Sequence, residues 1–125
     1  MANQEFNIKT PPWNIKTPPW FDEFYESLTK REVYSLKTGE IIKRSGKSRE
    51  HISRLFKEAT GTTIGVYLNE LRIEHAAAML TTTYLDIIDI ALESGFENLS
   101  TFYHLFKKTK GISPNQYRKR YSFVY

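Results

Sequence analysis

The chain has 125 residues, with 18 Lys and Arg against 14 Asp and Glu, a formal net charge of +4 and no cysteine. That length allows one domain or two small halves packed together, and 8 Tyr, 8 Phe and 2 Trp can build a core. Without cysteine, disulfide and thiolate chemistry are excluded and a reducing cytoplasm is the expected setting; no basic-plus-apolar leader is recognised, and no apolar run approaches the roughly 18 residues of a membrane span.

The first segment is a perfect tandem: Asn7–Trp13 reads NIKTPPW and Asn14–Trp20 repeats it. Paired prolines suit an extended linker, because proline fixes φ and disfavours helix in the residue before it. Residues 1–19 are therefore expected to be a proline-rich linker or tail, the duplication having no function of its own. In the second copy Thr17 can cap and Pro18 can open a first helix running to about Tyr34. Trp20, Phe21, Phe24, Tyr25 and Leu28 follow at helical spacing, a stripe expected to face the core.

A second short helix is expected over about Glu40–Ser45, with Gly46-Lys47 as the turn. Ser48 can cap a third helix bearing Ile52, Leu55 and Phe56 inward and stopping at Gly61. Thr63 can cap a long fourth helix to about Leu80, apolar over so wide an arc that it should pack on more than one side and bridge two lobes. Asp86 can cap a helix carrying Ile87, Ile90 and Ala91 to Ser94-Gly95. Asn98 caps the next, with Phe102, Leu105 and Phe106 inward and a stop at Gly111. Ser113-Pro114 starts the last helix, through Tyr117 to about Tyr121. The expected fold is all-α, with seven helices in two helix-turn-helix lobes joined by a long linker helix. Lobe one spans about 20–62, the linker helix 63–80 and lobe two 81–121, with 122–125 as a tail.

Repetition supports the two-lobe reading. Leu55-Phe56-Lys57, Gly61 and Tyr67 recur fifty residues later as Leu105-Phe106-Lys107, Gly111 and Tyr117. Basic residues cluster in matching places. Residues 43–57 hold Lys43, Arg44, Lys47, Arg49, Arg54 and Lys57 against Glu50 alone, and 107–120 hold Lys107, Lys108, Lys110, Arg118, Lys119 and Arg120 with no acid. Taken alone, such segregation could be two solvated helix faces. On paired helices it fits a polyanion.

A recognition helix enters the major groove with the face its core residues leave free. On the third helix that face offers Glu50, Ser53 and Arg54 to bases: arginine can donate twice to guanine, glutamate can accept from cytosine N4, and serine can do either. Arg49, His51 and Lys57 suit phosphates. On the sixth helix the free face carries Leu99, Ser100, Tyr103 and His104 for bases, with thymine methyls able to accept Leu99 or Tyr103. Lys107, Lys108 and Lys110 suit the backbone. Because this half has only one strong base donor, it should be the less specific reader.

These residues also carry a resemblance. Ile87-Ile88-Asp89-Ile90-Ala91, Ser94-Gly95-Phe96, Phe102, Leu105-Phe106-Lys107-Lys108, Gly111, Ser113-Pro114 and Tyr117-Arg118 form a signature-like segment. Ser48, His51, Leu55-Phe56-Lys57, Gly61, Tyr67-Leu68, Leu71-Arg72 and Ala76 form its partner. Over about residues 20–121 the chain resembles the DNA-binding domain of the AraC/XylS family of bacterial transcription regulators. The resemblance implies two lobes in successive major grooves on one face of double-stranded DNA. It places base reading on Glu50, Ser53, Arg54, Leu99, Ser100, Tyr103 and His104. It also implies RNA polymerase as a partner in a transcription complex. Family regulators often carry an N-terminal effector-binding or dimerising domain. None is recognisable in this chain, which is expected to be the DNA-binding end of a longer regulator. Two departures stand out: Ile42 where the second unit has Ala91, and Lys47 where it has Phe96.

Other chemistries fit poorly. Ser45-Gly46-Lys47-Ser48 looks like the end of a phosphate-binding loop, but Ile41 occupies the place of its first glycine. His51, His75 and His104 lie far apart without metal-ligand spacing, and His75 is expected to be a satisfied core histidine. With no nucleophile elbow, an enzyme is not expected, nor is a cofactor. The competing reading is an all-helical protein-interaction module. RNA binding is less suited, since it usually presents aromatics on sheets.

Overall fold

The computed structural model describes residues 12–124. These form eight helices: α1 (Pro19–Ser27), α2 (Arg31–Tyr34), α3 (Thr38–Arg44), α4 (Arg49–Thr60), α5 (Ile64–Thr82), α6 (Ile87–Ser94), α7 (Leu99–Lys110) and α8 (Pro114–Tyr121). No strand occurs among the described residues, so the all-α expectation holds. The count of seven does not, because the expected first helix is broken into α1 and α2. Ser27 Oγ donates to the Phe24 carbonyl at 2.7 Å and Thr29 Oγ1 to that of Glu26 at 3.1 Å. The amides of Leu28 and Lys30 close onto carbonyls three residues back, both at 3.1 Å. Hydroxyl back-bonding and this tightened turn occupy the carbonyls that a continuing helix needs.

The start of α1 also differs from expectation. Pro18 is the N-cap and Pro19 the first helical residue, while the Thr17 hydroxyl donates to the Asp22 carboxylate instead of capping the backbone. Residues 7–11 of the first tandem copy lie outside the described residues. Its final residue, Trp13, is half-buried against the first core. The Trp13 ring stands edge-on to Tyr25 at 4.9 Å and to Phe21 at 5.7 Å, and its Nε1 donates to Thr17 Oγ1 at 3.3 Å.

The later helices follow their caps. Ser48, Thr63, Asn98 and Ser113 each accept a first-turn backbone N–H, and Ser113 with Gln116 completes a capping box. Asp86 occupies the N-cap of α6 but makes no side-chain capping bond. Helices α4 and α7 end on Gly61 and Gly111 at φ +82° and +84°, a left-handed conformation that side chains with Cβ rarely adopt.

Two hydrophobic clusters result. One gathers Phe21, Phe24, Leu28, Ile52, Phe56 and Leu68, and the other Ile73, Leu80, Ile90, Phe102 and Phe106. Helix α5 serves both, giving Ile64 and Leu68 to the first and Ile73 through Leu80 to the second. Its apolar residues surround it, as a helix packed on more than one side requires. Burial of each large α5 side chain contributes about 1.5–3 kcal/mol.

Two buried arginines fasten the ends of these clusters. Arg72 Nε donates to the Tyr34 carbonyl at 2.7 Å and Nη2 to that of Leu36 at 2.8 Å. Arg118 Nε donates to the Leu80 carbonyl at 3.1 Å and Nη2 to that of Thr83 at 3.2 Å. Arg118 is thus not part of a solvated basic face, as its place in the 107–120 cluster suggested. After α8 the chain returns along α5, where the Phe123 amide donates to the Thr81 carbonyl at 2.8 Å. His75 is only half satisfied among the described residues: Nδ1 pairs with the Tyr34 hydroxyl at 2.9 Å, while the buried Nε2 finds no partner among them.

Candidate nucleic-acid interface

The glycine turns deliver two helices built alike. α4 and α7 are 12 residues each, capped by a side-chain oxygen at the start and a left-handed glycine at the end. Ile52 and Phe56 anchor α4 in the first core, while Phe102 and Phe106 anchor α7 in the second. The exposed side chains opposite these anchors are the ones that can meet a partner.

On α4, Arg49, Glu50, Ser53, Arg54 and Lys57 are all exposed. None of the charged ones forms an ion pair with another described residue. His51 differs. It is half-buried, its amide caps onto Ser48 Oγ at 3.1 Å, and its ring stands edge-on to Trp20 at 5.5 Å. Lys47, in the turn before α4, places Nζ 4.9 Å from the centroid of the same Trp20 ring.

On α7, Ser100, His104, Lys107 and Lys108 are exposed, and Tyr103 is 39% exposed beside Phe102. Tyr103, His104, Lys107 and Lys108 line one shallow depression of about 380 Å³, so these four expected site residues are neighbours on the surface. Two expectations need correction. Leu99 is half-buried against the second core, because positions 99, 102 and 106 share one helical face. The Lys110 ammonium is held by Glu74 of α5 at 2.7 Å with its side chain 19% exposed, so it is not a free cation for a phosphate.

Electrostatically, the exposed sides of α4 and α7 present Arg49, Arg54, Lys57, Lys107 and Lys108 against Glu50 and Glu58. Each helix also directs its N-terminal amides, the positive pole of the backbone, toward that end. Polyanions suit such a surface, and the hydroxyl, guanidinium, carboxylate and imidazole groups among the cations can read base edges. Sequence reasoning put Trp20 in the core stripe and Lys47 in the basic cluster, but missed the contact that joins them at this surface. The signal was ambiguous, since a helix-start tryptophan reads as core. Among the described residues no helix is long and apolar enough to cross a membrane. The same residues contain no group of three or more His, Asp or Glu able to hold a metal ion.

Paired helices, each entered through a glycine turn and presenting cations beside hydrogen-bonding side chains, define a helix-turn-helix nucleic-acid-binding protein. Comparison agrees: the family described as "Helix-turn-helix domain" matches residues 41–120. The HTH-type transcriptional activator AarP of Providencia stuartii is 40% identical over 83 residues, covering 66% of this chain and 62% of AarP. Among solved structures, the C-terminal domain of AraT, a response regulator from Geobacillus stearothermophilus, matches with a TM-score of 0.73 at 26% identity. That match covers 88% of this chain and 92% of the other. A Chromobacterium violaceum transcriptional regulator, described as containing an AraC-type DNA-binding domain, matches with a TM-score of 0.66 at 28% identity over 86% of this chain and 96% of its own. The chain belongs to the AraC/XylS family of helix-turn-helix DNA-binding transcription regulators, a family of regulators and not of enzymes.

Proposed function

We propose that this protein binds double-stranded DNA sequence-specifically as a bacterial transcription regulator, setting α4 and α7 into successive major grooves of one DNA face. The observation that carries the reading is the pairing itself. Two helices share length, cap and glycine stop, yet their outward faces differ: Glu50, Ser53 and Arg54 on one, Ser100, Tyr103 and His104 on the other. Same scaffold and different side chains suit an asymmetric site, not a palindrome. In this reading those six residues, with Leu99 at the edge of the core, read bases. Arg49, His51, Lys57, Lys107 and Lys108 hold phosphates. The two hydrophobic clusters act as two reading lobes on α5. The setting is the cytoplasm, and RNA polymerase is the protein partner.

Binding to duplex DNA across a salt series tests the proposal. Affinity should fall steeply with salt, with a slope reflecting on the order of 5–8 phosphate contacts. Arg54→Ala should cost about 1–3 kcal/mol at one base position, whereas Lys107→Ala should weaken all sequences alike. A salt-independent affinity would end the DNA reading, and uniform weakening by both variants would end the division of roles.

The second reading, a protein-interaction module, is favoured by one observation: Ile88 and Leu92 of α6 are 52% and 58% exposed. It predicts that loss of these side chains abolishes a protein contact while duplex affinity stays unchanged.

A further inference from the structure

We propose that Trp20 is a positioning residue for DNA binding, holding the Lys47 ammonium and the His51 imidazole in front of α4, and that Lys47 is a further phosphate-contacting residue. The inference rests on the reading of α4 as a DNA-binding helix. It also gives the last residue of the NIKTPPW tandem a role outside the linker.

Lys47 precedes the N-cap Ser48, so its side chain starts beside the positive pole of a 12-residue helix. It is exposed and makes no ion pair with a described residue, leaving the Trp20 ring as the group that restrains it. A lysine side chain otherwise samples many rotamers, and ordering it opposes binding. A cation over an aromatic face loses that freedom without losing its charge. The ammonium thus meets a phosphate already placed. His51 is fixed by the same ring at an interplanar angle of 87°, and by its amide on Ser48. Three residues from α1, the turn and α4 therefore converge on one corner.

The second half shows what is special about this corner. There the residue after the turn glycine is Phe96, which is buried in the second core 5.2 Å from Phe102. In the first half that place is taken by a lysine, and the aromatic ring arrives from α1 instead. A cation stands where the second unit has an apolar plug.

The test is anisotropy of a labelled mixed-sequence duplex, titrated across a salt series with the full chain and its variants. Lys47→Ala should lower affinity roughly fivefold and reduce the slope of log affinity against log salt by about one. Trp20→Leu should lower affinity roughly threefold, while Trp20→Phe, which keeps an aromatic face, should stay near wild type. In the Lys47→Ala background Trp20→Leu should add little further loss, as coupled residues do. Wild-type affinity for Trp20→Leu, or an equal loss from it with and without Lys47, overturns the proposal. If Trp20→Leu does not fold, the Trp13→Phe protein, whose only tryptophan is Trp20, decides. DNA should change its emission, and Lys47→Ala should diminish that change. Emission indifferent to DNA overturns the proposal equally. Arg54→Ala separates this inference from the reading beneath it. If Arg54→Ala alters neither affinity nor sequence preference, α4 does not meet DNA and both fail. If it does and Trp20→Leu does not, only the positioning role falls.

Discussion

At Gly95 the two halves of the chain touch backbone to backbone. Its φ is +109°, and a Cβ there would lie 3.0 Å from the Tyr34 carbonyl oxygen, 3.0 Å from Ser35 Cα and 2.9 Å from Arg72 Nε. Gly46, the corresponding turn residue of the first unit, has φ +74° but open space around the same direction. Gly46→Ala should therefore cost about 1–2 kcal/mol in urea denaturation, the ordinary penalty of a left-handed residue. Gly95→Ala should cost more, about 3 kcal/mol, because an overpacking term of about 1–3 kcal/mol adds to it. Nearby, His75 is tied to Tyr34 and carries a buried nitrogen without a partner among the described residues. Burial, aided by Arg31 and partly countered by Glu93, holds its pKa below the ordinary 6.5. The unfolded chain takes up this proton more readily than the folded one. Stability is then full above pH 6.5 and declines as pH falls below it. Replacing His75 with Gln should flatten that decline in thermal melts at a series of pH values. An unchanged profile would place the titration elsewhere.

Among the elements, the best-capped helices were the most legible. Ser48, Asn98 and Ser113, with Gly61 and Gly111, bound α4, α7 and α8 in the sequence because each cap satisfies backbone groups locally. Ser113→Ala should lose about 1 kcal/mol by removing the capping box at the start of α8, measurable as a lower unfolding midpoint. By contrast, the exposed pairs Arg31–Glu93 at 3.2 Å and Lys37–Glu97 at 3.9 Å lie in solvent, where such pairs contribute less than about 1 kcal/mol. The break between α1 and α2 was not legible, since it needs no glycine or proline: two hydroxyls turning back on carbonyls suffice. Exposure was readable where helical period alone sorts inside from outside, as for Ser53, Arg54, Ser100 and His104. It was misjudged where a long-range partner intervenes. Lys110 finds Glu74, Arg118 finds the end of α5, and Leu99 finds the second core. Those contacts join residues far apart in sequence, and no local pattern announces them.

At the scale of the whole molecule, α5 contributes buried residues to both clusters, which should make them unfold as one cooperative unit. Leu68 and Leu80 are both fully buried on it, one in each cluster or at its edge. Leu68→Ala and Leu80→Ala should each cost about 2–5 kcal/mol, and each should lower a single transition. Two separable transitions by calorimetry would mean that the clusters melt independently. The same helix has a further consequence. It advances about 1.5 Å and turns about 100° with every residue, so one inserted residue would swing α7 a quarter-turn or more out of phase with α4. On the proposed docking the protein is a key with fixed teeth spacing. New operators are reached by exchanging the outward side chains of α4 and α7, while changes in the length of α5 or in the distance between the two half-sites are forbidden to protein and DNA alike.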